Sequence, residues 1–306
     1  MFDVLVAGEI NPDLILSGDV TPEFGQVEKL VDSATLTVGS SSAIFACAAA
    51  RLGLNVAFIG VCGDDLFGTF MLHELGSRGI DTSNVIVIPQ AHTGLSLILE
   101  RRDGRAILTY PGLIAALKAS DVTDGILSQA RHLHVASYFL QTALQPGLPK
   151  LFARAHSAGL TTSLDTNWDP SGKWRGVDEL LRLTDVFLPN ENEAIAISSS
   201  SPLEDPLKNL GQKCRVVAVK SGIQGAFAIQ AGKTTYAPAL PVQVVDTVGA
   251  GDNFDAGFIY GWLSGWSLEK SLQLAVACGS LSTRGPGGVS SQPTLQEALG
   301  YVQSAG

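Results

Sequence analysis

Short, continuous apolar runs alternate along this chain with segments whose apolar residues recur every three or four positions. The runs at 4–10, 56–62, 85–88, 132–136, 161–164, 186–188 and 216–219 are rich in Val, Ile and Leu. They lack the polar alternation of a half-exposed strand, so they predict strands buried on both faces, as in a parallel sheet. Helical patterns lie between them. Residues 42–52 are Ala-rich and closed by Gly53, and a segment opened by Asp64 and Asp65 carries Phe67, Met71, Leu72 and Leu75 on one stripe before ending near Gly79. Residues 148–157, 178–183 and 206–212 are the other helical segments of this kind. The alternation predicts an α/β, three-layer architecture with a mostly parallel central sheet flanked by helices.

Two stretches break the rhythm. Residues 11–38 read as short extended pieces without a helix, and 93–111 read as a hairpin turning at Arg102, Asp103 and Gly104. Together they predict a small antiparallel sheet beside the main one. With no internal repeat and no linker composition, the serines at 198–201 reading simply as a loop, residues 1–306 are expected to form one domain with a lid of about 11–38 and 93–111.

Composition narrows the partners. Lys and Arg total 20 against 29 Asp and Glu, a net charge of −9 over 306 residues. That balance opposes binding to nucleic acid or an anionic membrane, but not to a small anion held by local amides or a metal. Cys47, Cys62, Cys214 and Cys278 form no CxxC, and three sit in apolar runs, so buried reduced thiols are expected rather than a disulfide or a zinc site. The N-terminus begins a strand rather than a signal peptide, and the longest apolar stretch is stopped by Arg51. A cytoplasmic protein is expected.

The most informative segment is Asp246-Thr247-Val248-Gly249-Ala250-Gly251-Asp252, followed by an apolar helical pattern to Leu263. A Gly-Ala-Gly turn that opens a helix exposes unpaired amides at the positive end of the helix dipole, a place suited to a transferring phosphoryl group. Asp252 at the helix start can take a proton from an attacking hydroxyl, and such a reaction otherwise asks mainly for positioning and charge stabilisation. An ordinary turn with Asp252 as N-cap is the plainer alternative. The segment resembles the C-terminal signature of the ribokinase-like (PfkB) carbohydrate kinases, and the resemblance extends over essentially the whole chain. It implies Asp252 as catalytic base, Gly249, Ala250 and Gly251 as anion hole, Thr247 near the nucleotide, and ATP with Mg²⁺ as cofactors.

Other segments fit the same frame. Asn190 and Glu193, three apart after a buried strand, resemble the family's N-x-x-E element, which orients Mg²⁺ and the ATP phosphates through water. Lys220, Gly222 and Gly225 resemble its nucleotide loop, with Lys220 within reach of the phosphates. Asp13 resembles the acid that binds sugar hydroxyls. Gly39 and Ser40 fall in the first family signature, which here has Ser40 for its second Gly and Ile44 for an Asn that helps hold substrate. Asp165 and Asn167 match a D-x-N element at a strand end, where open α/β sheets bind ligands. That element carries Asp169 where some relatives have Arg, which favours a neutral sugar over a sugar acid. Asp246 and the glycine-rich loop 284–291 resemble a monovalent-cation site, so K⁺ is a candidate ligand.

The expected function is transfer of the ATP γ-phosphate to a hydroxyl of a small neutral sugar or polyol. A nucleoside kinase, to which Ile44 would give apolar room, and a silent sugar-binding regulator are the alternatives. A dinucleotide-dependent dehydrogenase is disfavoured because Gly8-Glu9-Ile10-Asn11 offers no GxGxxG. Family members often dimerise through the lid, and Leu95, Leu97 and Leu99 are compatible with such a homodimer.

Overall fold

Apolar residues that alternate in parity along each buried run force the chain into a sheet covered on both faces. A computed structural model describes residues 1–101, 104–198 and 205–303. The predicted turn residues Arg102 and Asp103, and most of the 198–201 loop, lie outside them. The chain runs β1 (Val4–Ala7), β2 (Pro12–Ser17), β3 (Ser33–Val38), α1 (Ser41–Arg51), β4 (Val56–Ile59), β5 (Val61–Gly63), α2 (Leu66–Ser77), β6 (Ile86–Ile88), β7 (Leu95–Arg101) and β8 (Gly104–Tyr110). It continues through α3 (Asp124–Leu127), β9 (His132–Val135), α4 (Leu148–Ser157), β10 (Thr161–Leu164), α5 (Val177–Leu181), β11 (Val186–Phe187), α6 (Glu191–Ser198) and α7 (Pro206–Gly211). It ends with β12 (Val216–Lys220), β13 (Ala226–Gln230), β14 (Lys233–Ala237), α8 (Ala250–Leu263), α9 (Leu268–Ser282) and α10 (Leu295–Gln303).

The main sheet has the order β14-β13-β12-β11-β10-β9-β1-β4. It is parallel from β4 to β12, with β13 and β14 added antiparallel. Val4, Val6, Phe58, Val186, Val216 and Ala218 face a core shared with α1, α8 and α9. Leu5, Ala7, Leu133, Val135, Phe187 and Val217 face a second core with α4, α5 and α7. The result is the expected three-layer α/β arrangement. All four cysteines are free and buried, and burial pushes the Cys47, Cys214 and Cys278 thiols up to about 12, which leaves them unreactive. Among the described residues, no helix is long and apolar enough to cross a membrane.

One sequence run divides. The apolar stretch 56–62 is continuous in sequence, yet β4 stops at Ile59 and β5 leaves the main sheet to pair with β6. The break falls at Gly60, where a Cβ would stand 2.5 Å from the Gly8 carbonyl oxygen. Close approach of the two backbones, not polarity, turns the chain there.

The second sheet has the order β3-β2-β7-β8. Its register places Thr37, Asp13, Ser96 and Thr109 in one row and Leu36, Leu14, Leu97 and Leu108 in the next, on opposite faces. The polar face carries Asp13 towards the C-terminal ends of the main strands. The apolar face includes Leu108 and Tyr110, which are 58% and 53% exposed.

Candidate active site

The C-terminal ends of β1, β9, β10, β11 and β12 converge on the start of α8, and most of the candidate residues sit there. Gly249 caps that helix with φ 71°, a left-handed conformation that favours glycine. A Cβ on it would also meet the Gly288 Cα at 2.6 Å. The first regular helical bond of α8 runs from Asn253 N–H to the Gly249 carbonyl at 2.9 Å, so the amides of Gly251 and Asp252 lie ahead of the ladder. Asn253 also donates its side-chain amide to the carbonyls of Gly249 (2.8 Å) and Gly288 (3.0 Å), tying the Gly-Ala-Gly turn to the 284–291 loop. Sequence reasoning missed Asn253, although a polar residue inside an apolar helix was a visible signal. Asp252 is in the first turn rather than at the cap.

Asp252 is buried among charges. Burial, reinforced by Asp165, pushes its carboxyl well above the usual range, against the pull of Lys220 and the Ser41 hydroxyl. The carboxylates of Asp165, Asp252 and Asp255 lie within 4.8 Å of one another. Lys220 Nζ donates to Asp165 Oδ2 at 2.7 Å and to Asp255 at 3.1 and 3.2 Å. Burial alone would lower the lysine's proton affinity, but Asp165, Asp255 and Glu193 outweigh it and hold the ammonium charged. Burial likewise works against ionisation of Asp165, and Lys220 overcomes it. Asp255, whose carboxyl burial pushes above the usual range against the pull of Lys220, was absent from the sequence reading; its place three residues after Asp252 on one helix face was the available clue.

Asp13 reaches the same region from the second sheet. Gly39 is small because a Cβ there would fall on the Asp13 carboxylate. Burial, with help from Asp246 and Glu9, raises Asp13 from 3.8 to about 7. Ser40 caps α1 at φ 67°, accepting from Ala43 N–H (3.0 Å) and donating to the Glu9 carbonyl (2.7 Å). Its hydroxyl is therefore engaged in the helix start. Glu9, another acid that sequence reasoning passed over, accepts from the Ser42 hydroxyl at 2.6 Å and the Ser42 amide at 3.2 Å. Asn167 stands at φ 51° and donates its side-chain amide to the hydroxyls of Ser41 (2.7 Å) and Ser137 (3.0 Å), joining α1 to the end of β9.

Asn190 and Glu193 form a reciprocal capping box at the start of α6. Glu193 N–H donates to Asn190 Oδ1 (3.0 Å), while Glu193 Oε2 and Oε1 accept from the Asn190 amide (2.9 Å) and side chain (2.6 Å). Burial, then Asp165, raises Glu193 from 4.5 to about 7. A buried carboxylate beside a carbonyl oxygen donor fits a hydrated Mg²⁺, whose charge would ionise it. Gly222 and Gly225 bracket a short turn between β12 and β13; a Cβ on Gly225 would fall on the Ala237 carbonyl. Thr247 is exposed on the loop before α8. Asp246 is buried and accepts amides from Val248 (2.9 Å) and Gly287 (2.7 Å), with Arg105 of β8 at 3.9 Å.

Two residues behave differently from what the sequence suggests. Asp169 accepts the amides of Ser171, Lys173 and Trp174 and the Ser171 hydroxyl at 2.7 to 2.9 Å. Its charge organises its own loop and does not bear on the charge of a substrate. Ile44 is buried against Gly249 and Gly288, where it fills space instead of opening any.

Residues 1–295 match the pfkB family carbohydrate kinase description. The chain belongs to that family. It is accordingly a phosphotransferase acting on carbohydrate. An ATP-dependent ribose-1-phosphate kinase from Halopiger xanaduensis is 33% identical over 99% of this chain and 98% of its own length. A ribokinase from Haemophilus influenzae is 27% identical over 98% of both. A solved putative Ribokinase II from E. coli, in complex with ATP and Mg²⁺, superposes with TM-score 0.89 at 25% identity, covering 99% of this chain and 100% of the other. That superposition, over 99% of the chain, takes in both the mostly parallel sheet and the small second sheet.

Proposed function

We propose that this pfkB kinase transfers the γ-phosphate of ATP to a hydroxyl of a small neutral sugar or polyol. The observation that carries the reading is the buried Asp252 next to the open amide of Gly251 at the start of α8. Asp252 accepts the proton of the attacking hydroxyl, and a raised proton affinity makes it a stronger base than a surface carboxylate. The amides of Gly251 and Asp252 face the transferred group, while that of Ala250 is bonded to the Thr247 carbonyl at 3.3 Å. Asp13 and Asn167 orient the sugar hydroxyls, with Gly39 making room for Asp13. Asn190 and Glu193 would hold hydrated Mg²⁺, which neutralises phosphate charge when bound. Gly222, Gly225 and Thr247 border the nucleotide, and a monovalent cation such as K⁺ would share Asp246 with Arg105. The acidic walls, Asp13, Glu9, Asp165 and Asp246, favour a neutral acceptor over an anionic one.

The test is ADP release with Mg-ATP over a panel of ribose, fructose, polyols, ribose 1-phosphate and nucleosides, with Asp252→Asn alongside. Turnover with a neutral sugar that falls about 10²–10⁴-fold in the variant is the expected result. Retained turnover in Asp252→Asn would remove the base from this reading. A second reading, a phosphorylated sugar, is favoured by Arg105, whose guanidinium makes no hydrogen bond among the described residues and stands 3.9 Å from Asp246, and by the similarity to a ribose-1-phosphate kinase. Turnover with ribose 1-phosphate, lost in Arg105→Gln, would establish that reading instead. The nucleoside alternative loses its motive, because Ile44 is packed. The exposed apolar face of the lid supports a homodimer.

A further inference from the structure

Three carboxylates this close and this buried resemble the donor set of a divalent-metal site, yet the space between them already holds a cation. Lys220 enters from the end of β12, with only 12% of its side chain exposed, and Asp165 and Asp255 are each 1% exposed. Its Nζ is bonded to both, and its chain lies along Gly251, where a Cβ would stand 3.4 Å from Nζ. Asp165 Oδ1 is meanwhile fixed by the Asn167 amide at 3.0 Å. Each partner comes from a different element: Asp165 from the end of β10, Lys220 from β12, Asp255 and Asp252 from α8. Glu193 of α6, Glu9 after β1 and the neutral His134 of β9 complete the charged and titratable groups around them.

We propose that Lys220 is a positioning residue, the built-in counter-cation of the Asp165–Asp252–Asp255 cluster, rather than a contact to the nucleotide phosphates. The proposal rests on the reading of Asp252 as the base. In this role the ammonium holds Asp165 ionised and clamps Asp255, so that two strands and the second turn of α8 are fixed relative to one another. It closes the cluster to metal ions and lets Asp252 ionise at a pH where substrate is bound. Without it, three acids would share one dry volume, and the base would hold its proton to higher pH.

The experiment compares Lys220→Met, Asp255→Asn and the double variant with wild type in two ways. The first is Mn²⁺ binding to the ligand-free protein, read by electron paramagnetic resonance. Wild type is expected to bind no Mn²⁺ at the cluster, and Lys220→Met to acquire a site that the double variant loses. The second is steady-state kinetics across pH. Lys220→Met is expected to lower kcat at least about tenfold, to move the acidic limb of kcat/KM to higher pH, and to leave KM for ATP within about twofold. The double variant, which removes the ammonium together with one of the carboxyls bonded to it, should bring the limb back towards wild type. Should Lys220→Met fail to fold, the double variant is expected to fold and to show a limb near wild type; a limb unmoved in both, or a double variant equally unfolded, overturns the proposal. A large rise in KM for ATP at unchanged kcat would make Lys220 a phosphate contact and also overturn it. Failure of the base reading shows separately, as turnover that survives Asp252→Asn, and the Mn²⁺ result does not depend on turnover.

Discussion

Buried carboxyls in this site are kept at a cost to the empty protein. Asp13 and Glu193 are both raised to about 7 by burial. In the unfolded chain each ionises near its ordinary value, so the folded form binds extra protons between about pH 4 and 7. The sign follows: each group costs nothing below that window, and stability is lost as pH rises through it. Asp13→Asn and Glu193→Gln should therefore raise the ligand-free protein's stability at pH 8 by on the order of 1–3 kcal/mol, with little change at pH 4. Thermal melts at the two pH values check this, and equal shifts at both would contradict it. Asp252 carries the same burden in its function. Because its carboxyl is raised, kcat/KM should fall as pH drops through a range above that of ordinary carboxylates, and the limb should vanish from the residual activity of Asp252→Asn. Sequence proximity already marked Asp252 as the candidate base, but its raised proton affinity comes from Asp165, more than eighty positions away in the chain, and from burial.

Elements fix these residues by contacts that motif reading undervalues. The side-chain amide of Asn253 links the α8 cap to the 284–291 loop, so Asn253→Leu should cost turnover about 10-fold or more while leaving the fold cooperative, as judged by a single sharp melt. The β9–β10 pair carries a buried polar ladder: His132 bonds Thr161 and Ser163, and Ser163 bonds His134, each at 2.7 Å, with His134 stacked on Phe45 of α1 at 3.6 Å. Burial lowers His132 to about 3, so the ladder is neutral and acts as a staple between strands. The second sheet presents Leu36, Leu14, Leu97 and Leu108 on one face. Leu108→Arg should convert a dimer into a monomer in sedimentation, whereas a wild type that is already monomeric would leave the lid as a cover alone. The 93–111 hairpin was legible from its alternation and turn residues. That β2 would pair with β7 in parallel was not, since register between distant strands is set by what each face packs against.

At the scale of the molecule, the second sheet and the main sheet meet over the strand ends. Arg105 of β8 approaches Asp246 of the motif loop, and Asp13 of β2 fits the space left by Gly39. Closing the lid on bound sugar and a non-hydrolysable ATP analogue should slow amide exchange in β7 and β8 more than in the main sheet; unchanged exchange there would argue against a moving lid. The sequence by itself determined the α/β class, the strand runs, the hairpin and the Gly-Ala-Gly turn that opens α8. Each of these is written in local periodicity, small residues and a contiguous motif. Tertiary structure alone decided that Lys220 meets Asp165 and Asp255, that Asp169 is spent on its own loop, that Ile44 is packed, and that the 56–62 run divides at Gly60. Those outcomes depend on which distant segments share a volume, and the energy of a buried charge or a close backbone contact is set by its neighbours in space.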